Sequence, residues 1–236
     1  MSNAALFRVA RSVALIAMLG ACSQNGRTAQ SGAASAPAAD HEEAHRSNEE
    51  AGQPAAPPLR EGQAEAIFAG GCFWCVESAF EGLPGVVSVT SGYTGGHTEH
   101  PTYREVGGHA TGHLEAVRIV YDPEATSYAA LLEVFWHNID PTQGDGQFCD
   151  RGDSYLSAIF VATDDERRLA SETKASAAAE LDEAVVTTIR DAATFWVAED
   201  YHQDFYRTNP GRYTQYRTSC GRDRRLRELW GDAAGH

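Results

Sequence analysis

Two cysteines three residues apart, Cys72 and Cys75 in the run Gly70-Gly71-Cys72-Phe73-Trp74-Cys75, are the side chains of this 236-residue sequence best suited to chemistry. A thiol attacks as the thiolate, and a helix N-terminus favours that form through its unpaired amide hydrogens and the positive end of its dipole. The apolar run 66–69 followed by a Gly-Gly turn reads as a buried strand ending in a tight reversal, and 72–81 reads as a helix closed by Gly82 and Pro84. Cys72 therefore falls at a helix start, placed to be a nucleophile, on a turn whose glycines let the backbone open toward a reactant. The residue type alone is equally at home as a buried, inert thiol. Phe73 and Trp74 fit either the core or the wall of an apolar pocket beside the sulfur. The C-x-x-C spacing is also that of dithiol oxidoreductases.

The elements that must position these residues follow from periodicity. Strands are predicted at 66–69, 86–92, 114–121 and 155–162, and a β-branched edge strand at 185–190. Helices are predicted at 72–81, at 127–138 with Leu131, Leu132, Phe135 and Trp136 forming a core stripe, and at 164–179 on the surface. A long Gly- and His-rich loop spans 93–112, a length that usually carries function. The order βαββαβ is that of the split βαβ plait. The predicted fold is thus α+β, a ferredoxin-like two-layer sandwich with helices on one face of an open sheet. Beyond residue 190 the chain reads as a largely irregular C-terminal extension, apart from a turn or more of helix around 199–206.

The N-terminal quarter is of another kind. Arg8 and Arg11 precede an apolar stretch ending Leu19-Gly20-Ala21-Cys22-Ser23, so 1–21 reads as an export signal and Cys22 as a lipid acceptor, in a pattern resembling a bacterial lipobox. The expected address is the periplasmic face, as an outer-membrane lipoprotein whose only membrane contact is its lipid. Residues 22–62 have almost no large apolar side chain and read as a disordered tether, leaving 63–236 as one folded domain. His41-Glu42-Glu43-Ala44-His45 matches the zinc-binding H-E-x-x-H, but in a low-complexity run with no apolar face to pack it in a cleft. No metal site is expected. A formal net charge of -14 argues against a nucleic-acid partner, which needs clustered Lys and Arg. The basic cluster Arg222 to Arg227 reads as a solvated helix face.

A set of separate motifs narrows the chemistry. Gly71-Cys72-Phe73-Trp74, Ser91-Gly92-Tyr93-Thr94-Gly95-Gly96, Pro101-Thr102-Tyr103, Thr111-Gly112-His113-Leu114-Glu115-Ala116-Val117, Asp140-Pro141-Thr142-Gln143 and Ala198-Glu199-Asp200-Tyr201-His202-Gln203 occur in that order. Together they resemble the A-type peptide methionine sulfoxide reductases, from about residue 67 to about residue 210. The resemblance implies reduction of the S epimer by attack of the Cys72 thiolate on the sulfoxide sulfur, leaving a sulfenic acid on the enzyme. It implies Glu115 as the acid, Tyr103 and Tyr155 as phenols that bind the sulfoxide oxygen, and Asp150 as their associated carboxylate. It further implies Phe73 and Trp74 as the pocket for the substrate methyl, with His202 lining the substrate groove. It implies no bound cofactor; the partners are oxidised methionine in proteins and an external thioredoxin-like dithiol reductant, and the protein is expected to be a monomer.

The sequence departs from that family's pattern in three places: Leu156 follows Tyr155 where arginine is common, Leu114 precedes Glu115 where alanine is usual, and Cys75 replaces a usual glycine. A second thiol must resolve the sulfenic acid. Cys220 is the expected resolving cysteine, because it resembles the family habit of a thiol on a mobile tail. Cys75 is the second choice, one helical turn from Cys72, and Cys149 could be a structural cysteine of the pocket wall. Two rival classes remain. A thioredoxin-like carrier would need only Cys72 and Cys75, and a zinc module lacks a second C-x-x-C in the globular region.

Overall fold

The computed structural model describes residues 52–235. The export signal, Cys22, the H-E-x-x-H match and most of the 22–62 tether lie outside the described residues. In chain order the elements are β1 (Ala64–Gly70), α1 (Phe73–Phe80), β2 (Val86–Thr94), α2 (Tyr103–Gly107), β3 (Leu114–Tyr121), α3 (Tyr128–Trp136), β4 (Gly146–Gln147) and β5 (Asp150–Arg151). There follow β6 (Ser157–Val161), α4 (Asp164–Leu181), β7 (Thr188–Asp191), β8 (Trp196–Val197), α5 (Phe205–Thr208), α6 (Pro210–Ser219) and α7 (Arg222–Trp230). The main sheet has the order β7-β6-β1-β3-β2-β8, with β4 and β5 as a separate hairpin. Its central four strands pair antiparallel and β7 joins β6 in parallel. That is the predicted plait with one strand added at each edge.

The apolar run of β1 is explained by burial on both faces. Ala66 and Phe68 point with Val117, Ile119, Ile159 and Val161 toward the helices, where Val76, Phe80, Leu131, Leu132 and Phe135 complete the main core. Ile67 and Ala69 point the other way, with Leu114, Ala116, Ala158 and Phe160. That second face is covered by Phe195 and Ala56 rather than by a helix. The predicted tether therefore ends earlier than residue 62. The Ala56 amide donates to the Phe195 carbonyl at 2.8 Å and the Val197 amide to the Pro54 carbonyl at 2.9 Å, pairing 54–56 along β8. Backbone pairing of this kind needs no large side chains, so composition did not reveal it.

Two further expectations are corrected. The 93–112 loop contains α2, started by a capping box in which the Thr102 hydroxyl accepts from the Glu105 amide and the Glu105 carboxylate accepts from the Thr102 amide. Only Val106 of that short helix is buried, so it carries no periodic signal. The C-terminal extension is helical, not irregular: α6 and α7 are joined at Gly221, which holds φ 72. The only buried residue of α6 is Arg217, and α7 buries Arg222, Leu226 and Trp230. A helix docked through arginines and tyrosines leaves no apolar stripe to read.

Arg222 is accordingly not on a solvated face. It is 1% exposed, donates to the Gly70 carbonyl at 3.2 Å and the Asn138 carbonyl at 2.7 Å, and lies 4.3 Å from the Phe148 ring centroid. Its charge is thus held against two carbonyls at the base of the Gly-Gly turn. Among the described residues no helix is long and apolar enough to cross a membrane. Arg222→Ala strands both carbonyls in the core and removes the contact with Phe148, at a cost of about 3 kcal/mol. Thermal unfolding should fall by about 6 to 12 °C; a change within 2 °C, roughly a surface mutation's effect, would contradict the anchoring role.

Candidate active site

Cys72 occupies the N-cap of α1, as the spacing predicts. Gly71 before it holds φ 80, and a Cβ there would sit 2.4 Å from the Gln147 Cβ. Glycine is required by both conformation and space. Gln147 is itself fixed, accepting from the Asp140 amide at 2.9 Å and donating to the Asp140 carbonyl at 2.7 Å. The Asp140-Pro141-Thr142-Gln143 motif thereby holds the β4–β5 hairpin: the Gln143 side chain accepts from the Phe148 amide at 2.7 Å, and Arg225 donates to Asp140 at 2.7 Å.

Glu115 projects from β3 beneath the start of α1, 3% exposed, and accepts a hydrogen bond from the Phe73 amide at 3.0 Å. Burial pushes its carboxyl up to about 8 against the lowering effect of that bond, and the charges of Asp150, Cys75 and Glu199 push the same way. At neutral pH this carboxyl retains its proton. Tyr103 enters from α2 with its hydroxyl in hydrogen-bonding reach of Tyr155. Burial pushes both phenols up, Tyr103 to about 12, with the charge of Glu115 acting in the same direction, so both remain protonated donors. Asp150 accepts a short hydrogen bond from Tyr216 of α6, a partner the sequence reading did not find.

The two thiols sit together. Cys72 is 6% exposed and Cys75 1% exposed, and each is in hydrogen-bonding reach of the other. Burial pushes the Cys72 thiol up, and so do Cys75 and Glu115; Tyr216 opposes them. Cys75 goes the other way: the hydrogen bond from Cys72 lowers it, burial opposes, and Arg222, Arg217 and Tyr213 lower it further. Burial therefore favours the protonated form of Cys72, while the hydrogen bond from Cys72 and the nearby Arg222 and Arg217 favour the charged form of Cys75. Desolvation of the buried Cys72 thiol thus opposes the helix start, which favours the thiolate.

Cys220 is not in reach of this pair as a free thiol. Its sulfur is bonded to that of Cys149 across a sequence separation of 71, with a Cα–Cα distance of 5.0 Å. Cys220 lies at the C-cap of α6 rather than on a mobile tail. The ligand atoms of Cys149, Asp150 and Cys220 lie within 4.8 Å of one another, the compactness of a metal site. The two sulfurs are nonetheless committed to each other.

The aromatic residues form a wall over the thiols. Phe73 is 1% exposed, and Trp74 stacks on Phe205 with centroids 3.7 Å apart and meets Tyr216 edge-on at 5.8 Å. His202 is 2% exposed, a buried residue rather than a surface one. It accepts from the Trp74 indole at 3.0 Å through Nδ1 and packs against Phe73 at 4.9 Å and Tyr103 at 4.4 Å. Burial lowers it to about 3, so it is neutral and carries its proton on Nε2, which has no hydrogen-bond partner in the structure. The Ala198-to-Gln203 motif is tied down by its neighbours: Glu199 accepts from the Tyr93 hydroxyl at 2.7 Å and the Tyr103 amide at 2.8 Å, while Gln203 bonds both the amide and carbonyl of Ser91 at 3.0 Å.

Tyr213, Tyr216 and Arg217 are the site residues missing from the sequence reading, and with Cys220 they make one set. They stand at i, i+3, i+4 and i+7, one face of α6, a helical signal written in polar side chains. The thioredoxin-like alternative is not supported: the central four strands form the antiparallel plait, and Cys72 and Cys75 lie beside Glu115 and the four tyrosines Tyr103, Tyr155, Tyr213 and Tyr216.

The family model for peptide methionine sulfoxide reductase matches residues 64–234. The chain is 55% identical over 150 residues to the peptide methionine sulfoxide reductase MsrA of Ligilactobacillus salivarius, covering 63% of this chain and 87% of the relative. It is 52% identical over 169 residues to MsrA 2 of Rhizobium meliloti, covering 72% and 84% respectively. Methionine sulfoxide reductase A of Corynebacterium diphtheriae superposes with a TM-score of 0.58 at 33% identity, covering 67% of this chain and 82% of that one. With that match running from β1 through α7, across the buried acid and both thiols, the chain belongs to the peptide methionine sulfoxide reductase family.

Proposed function

We propose that this enzyme reduces the S epimer of methionine sulfoxide in proteins at Cys72, with Glu115 as the acid and Cys75, not Cys220, as the resolving thiol. The observation that carries this is one cluster in which the buried Glu115 carboxyl lies under the Phe73 amide, beside Cys72, Cys75, Tyr103 and Tyr155. Tyr103 and Tyr155 donate to the sulfoxide oxygen, and Phe73 and Trp74 enclose the methyl group. As the Cys72 sulfur attacks the sulfoxide sulfur, its proton passes to Cys75 and Glu115 protonates the oxygen. The oxygen ends as the sulfenic acid on Cys72, and methionine leaves. The Cys75 thiol then attacks the Cys72 sulfur; the sulfur–oxygen bond breaks and the hydroxyl departs with the Cys75 proton as water. The product is a Cys72–Cys75 disulfide.

Burial of Cys75 and the bond between Cys149 and Cys220 both support that pairing over the expected one. Cys220 stands at the C-cap of the ordered helix α6 rather than on the mobile tail that the family resemblance implies. The disulfide is returned to thiols by an external thioredoxin-like dithiol, which restores the proton of Glu115. Export under the 1–21 signal and a lipid on Cys22 are proposed from sequence alone; a sulfoxide reductase there would repair exported proteins and draw on a dithiol available outside the cytoplasm.

Five measurements check the mechanism and its resolving step. Cys72→Ser abolishes methionine formation from an S-sulfoxide peptide. Glu115→Gln slows the single-turnover rate about 10²- to 10⁴-fold, the range for loss of a general acid. In the wild type that rate falls as pH rises through about 8, where Glu115 gives up its proton; a steady rise across that range would exclude Glu115 as the acid. For the resolving step, Cys75→Ser makes one methionine per enzyme and then stalls as a sulfenic acid. The double variant Cys149→Ser with Cys220→Ser loses about 4 kcal/mol of stability for a loop of this length but still turns over with dithiothreitol. Stalling of the double variant instead would restore Cys220 as the resolving thiol.

A further inference from the structure

The polar face that α6 turns toward Cys75 is larger than the sulfoxide chemistry uses. Arg217, its side chain 8% exposed, is held by Asp223 at 2.7 Å through Nε and donates from Nη1 to the Tyr213 hydroxyl at 3.1 Å. The Tyr213 hydroxyl lies 2.7 Å from the Ser78 hydroxyl and within reach of the Cys75 sulfur. Ser78 sits one turn along α1 from Cys75, with its hydroxyl 3.0 Å from the Cys75 carbonyl. The Tyr213 oxygen has one proton and two lone pairs. When Arg217 and Ser78 both donate to it, that proton is left for the Cys75 sulfur; when Ser78 turns to the Cys75 carbonyl, the phenol can donate to Ser78 instead. The network thus has one arrangement suited to a thiolate and one suited to a neutral, bonded sulfur.

We propose that Tyr213 and Arg217 form a leaving-group site for Cys75, so that the reductant attacks the Cys72 sulfur of the enzyme disulfide. This rests on Cys75 being the resolving thiol. In that step a thiolate of the external dithiol bonds to Cys72 Sγ, the Cys72–Cys75 bond breaks, and its electron pair leaves on Cys75 as the thiolate. The second thiol of the reductant then attacks its own sulfur in the mixed disulfide and releases Cys72. The dithiol is oxidised, the enzyme disulfide is reduced, and the two protons of the dithiol go to Cys72 and Glu115. The Tyr213 phenol, within reach of the reacting sulfur, is the donor to the leaving thiolate; Arg217 acts through it as a positioning residue.

Two features set the direction of attack. Cys72 is the more exposed sulfur and adjoins the substrate pocket, whereas Cys75 faces the interior at 1% exposure. The charges and hydroxyls that meet Cys75 come from every neighbouring element: Cys72 at the start of α1, Glu115 on β3, Tyr213, Tyr216 and Arg217 on α6, and Arg222 on α7. The arginines and phenols favour a thiolate there, and a better leaving thiolate speeds the exchange. Glu115 opposes them only once it has lost its proton.

The test oxidises the full-length protein by one turnover with a sulfoxide peptide, maps its disulfides by mass spectrometry, and then follows reduction by dithiothreitol. Tyr213→Phe and Arg217→Met should lower the ratio of the reduction rate to the methionine burst rate about tenfold, and Arg217→Lys should recover part of the loss. In the same variants the ultraviolet absorbance of the reduced pair's thiolate should appear at higher pH, which a merely structural defect would not produce. A glutathione mixed disulfide trapped on the oxidised wild type should map to Cys72. A Cys72–Cys75 disulfide that forms in the variants and is reduced at the wild-type ratio overturns the leaving-group site while leaving Cys75 as resolver. A mixed disulfide on Cys75 overturns it as well. Oxidised wild type lacking the Cys72–Cys75 bond overturns the resolver assignment and this site with it.

Discussion

The hydrogen bond from the Phe73 amide to the Glu115 carboxyl joins the start of α1 to the middle strand of the sheet, and most of the site depends on it. It places the acid beneath the residue that follows the nucleophile, in a position that only β3 can supply. The same bond partly compensates a carboxyl that water cannot reach. Desolvation is the larger effect, so the group retains its proton near neutrality. A strand edge or loop would leave the carboxyl hydrated and ionised. The plait matters to the chemistry because it buries β3 on both faces while leaving its N-terminal end under α1.

Burial sets a second constraint, on charge. A pocket that desolvates Glu115 also desolvates the thiols, and two buried thiolates side by side would repel each other. Burial favours the proton on Cys72, and the hydrogen bond from Cys72, with Arg222 and Arg217 behind it, favours charge on Cys75. Both arginines come from the C-terminal helices, so those helices complete the electrostatics of the site rather than cover it. The Cys149–Cys220 bond fixes the far end of α6 to the hairpin that carries Asp150. Tyr216, one turn before Cys220, is thereby held against Asp150 and over Cys72.

Legibility of the sequence followed the kind of signal each element carries. The strands β1, β2, β3 and β6 and the helices α1, α3 and α4 are packed through apolar side chains, and periodicity located them to within a few residues. The four C-terminal residues Tyr213, Tyr216, Arg217 and Cys220 have the same helical spacing, but a search for apolar stripes passes over them. Arg222 was misplaced for a related reason: a basic run reads as solvated unless buried carbonyls, here those of Gly70 and Asn138, are known to receive it. Motif order points to Cys72, Glu115, Tyr103, Tyr155 and Asp150, and the structure sets these five close enough to act on one another. Which cysteines pair was not legible, because pairing depends on distances between elements that no spacing along the chain encodes.

The two cysteine pairs divide the work by depth. Cys72 and Cys75 lie under α6, where a carboxyl, phenols and guanidinium groups can tune them, and where solvent does not. Cys149 and Cys220 lie nearer the surface, where a covalent link can hold a helix whose contacts with the domain are polar. Such a helix gains little from hydrophobic burial, at roughly 25 cal/mol per Å² of apolar area, because few apolar atoms leave water when it docks. A cross-link that limits the unfolded chain supplies stability by a different route, independent of which side chains α6 presents. That independence frees the inner face of α6 to be polar, and a polar face is what a buried thiolate requires.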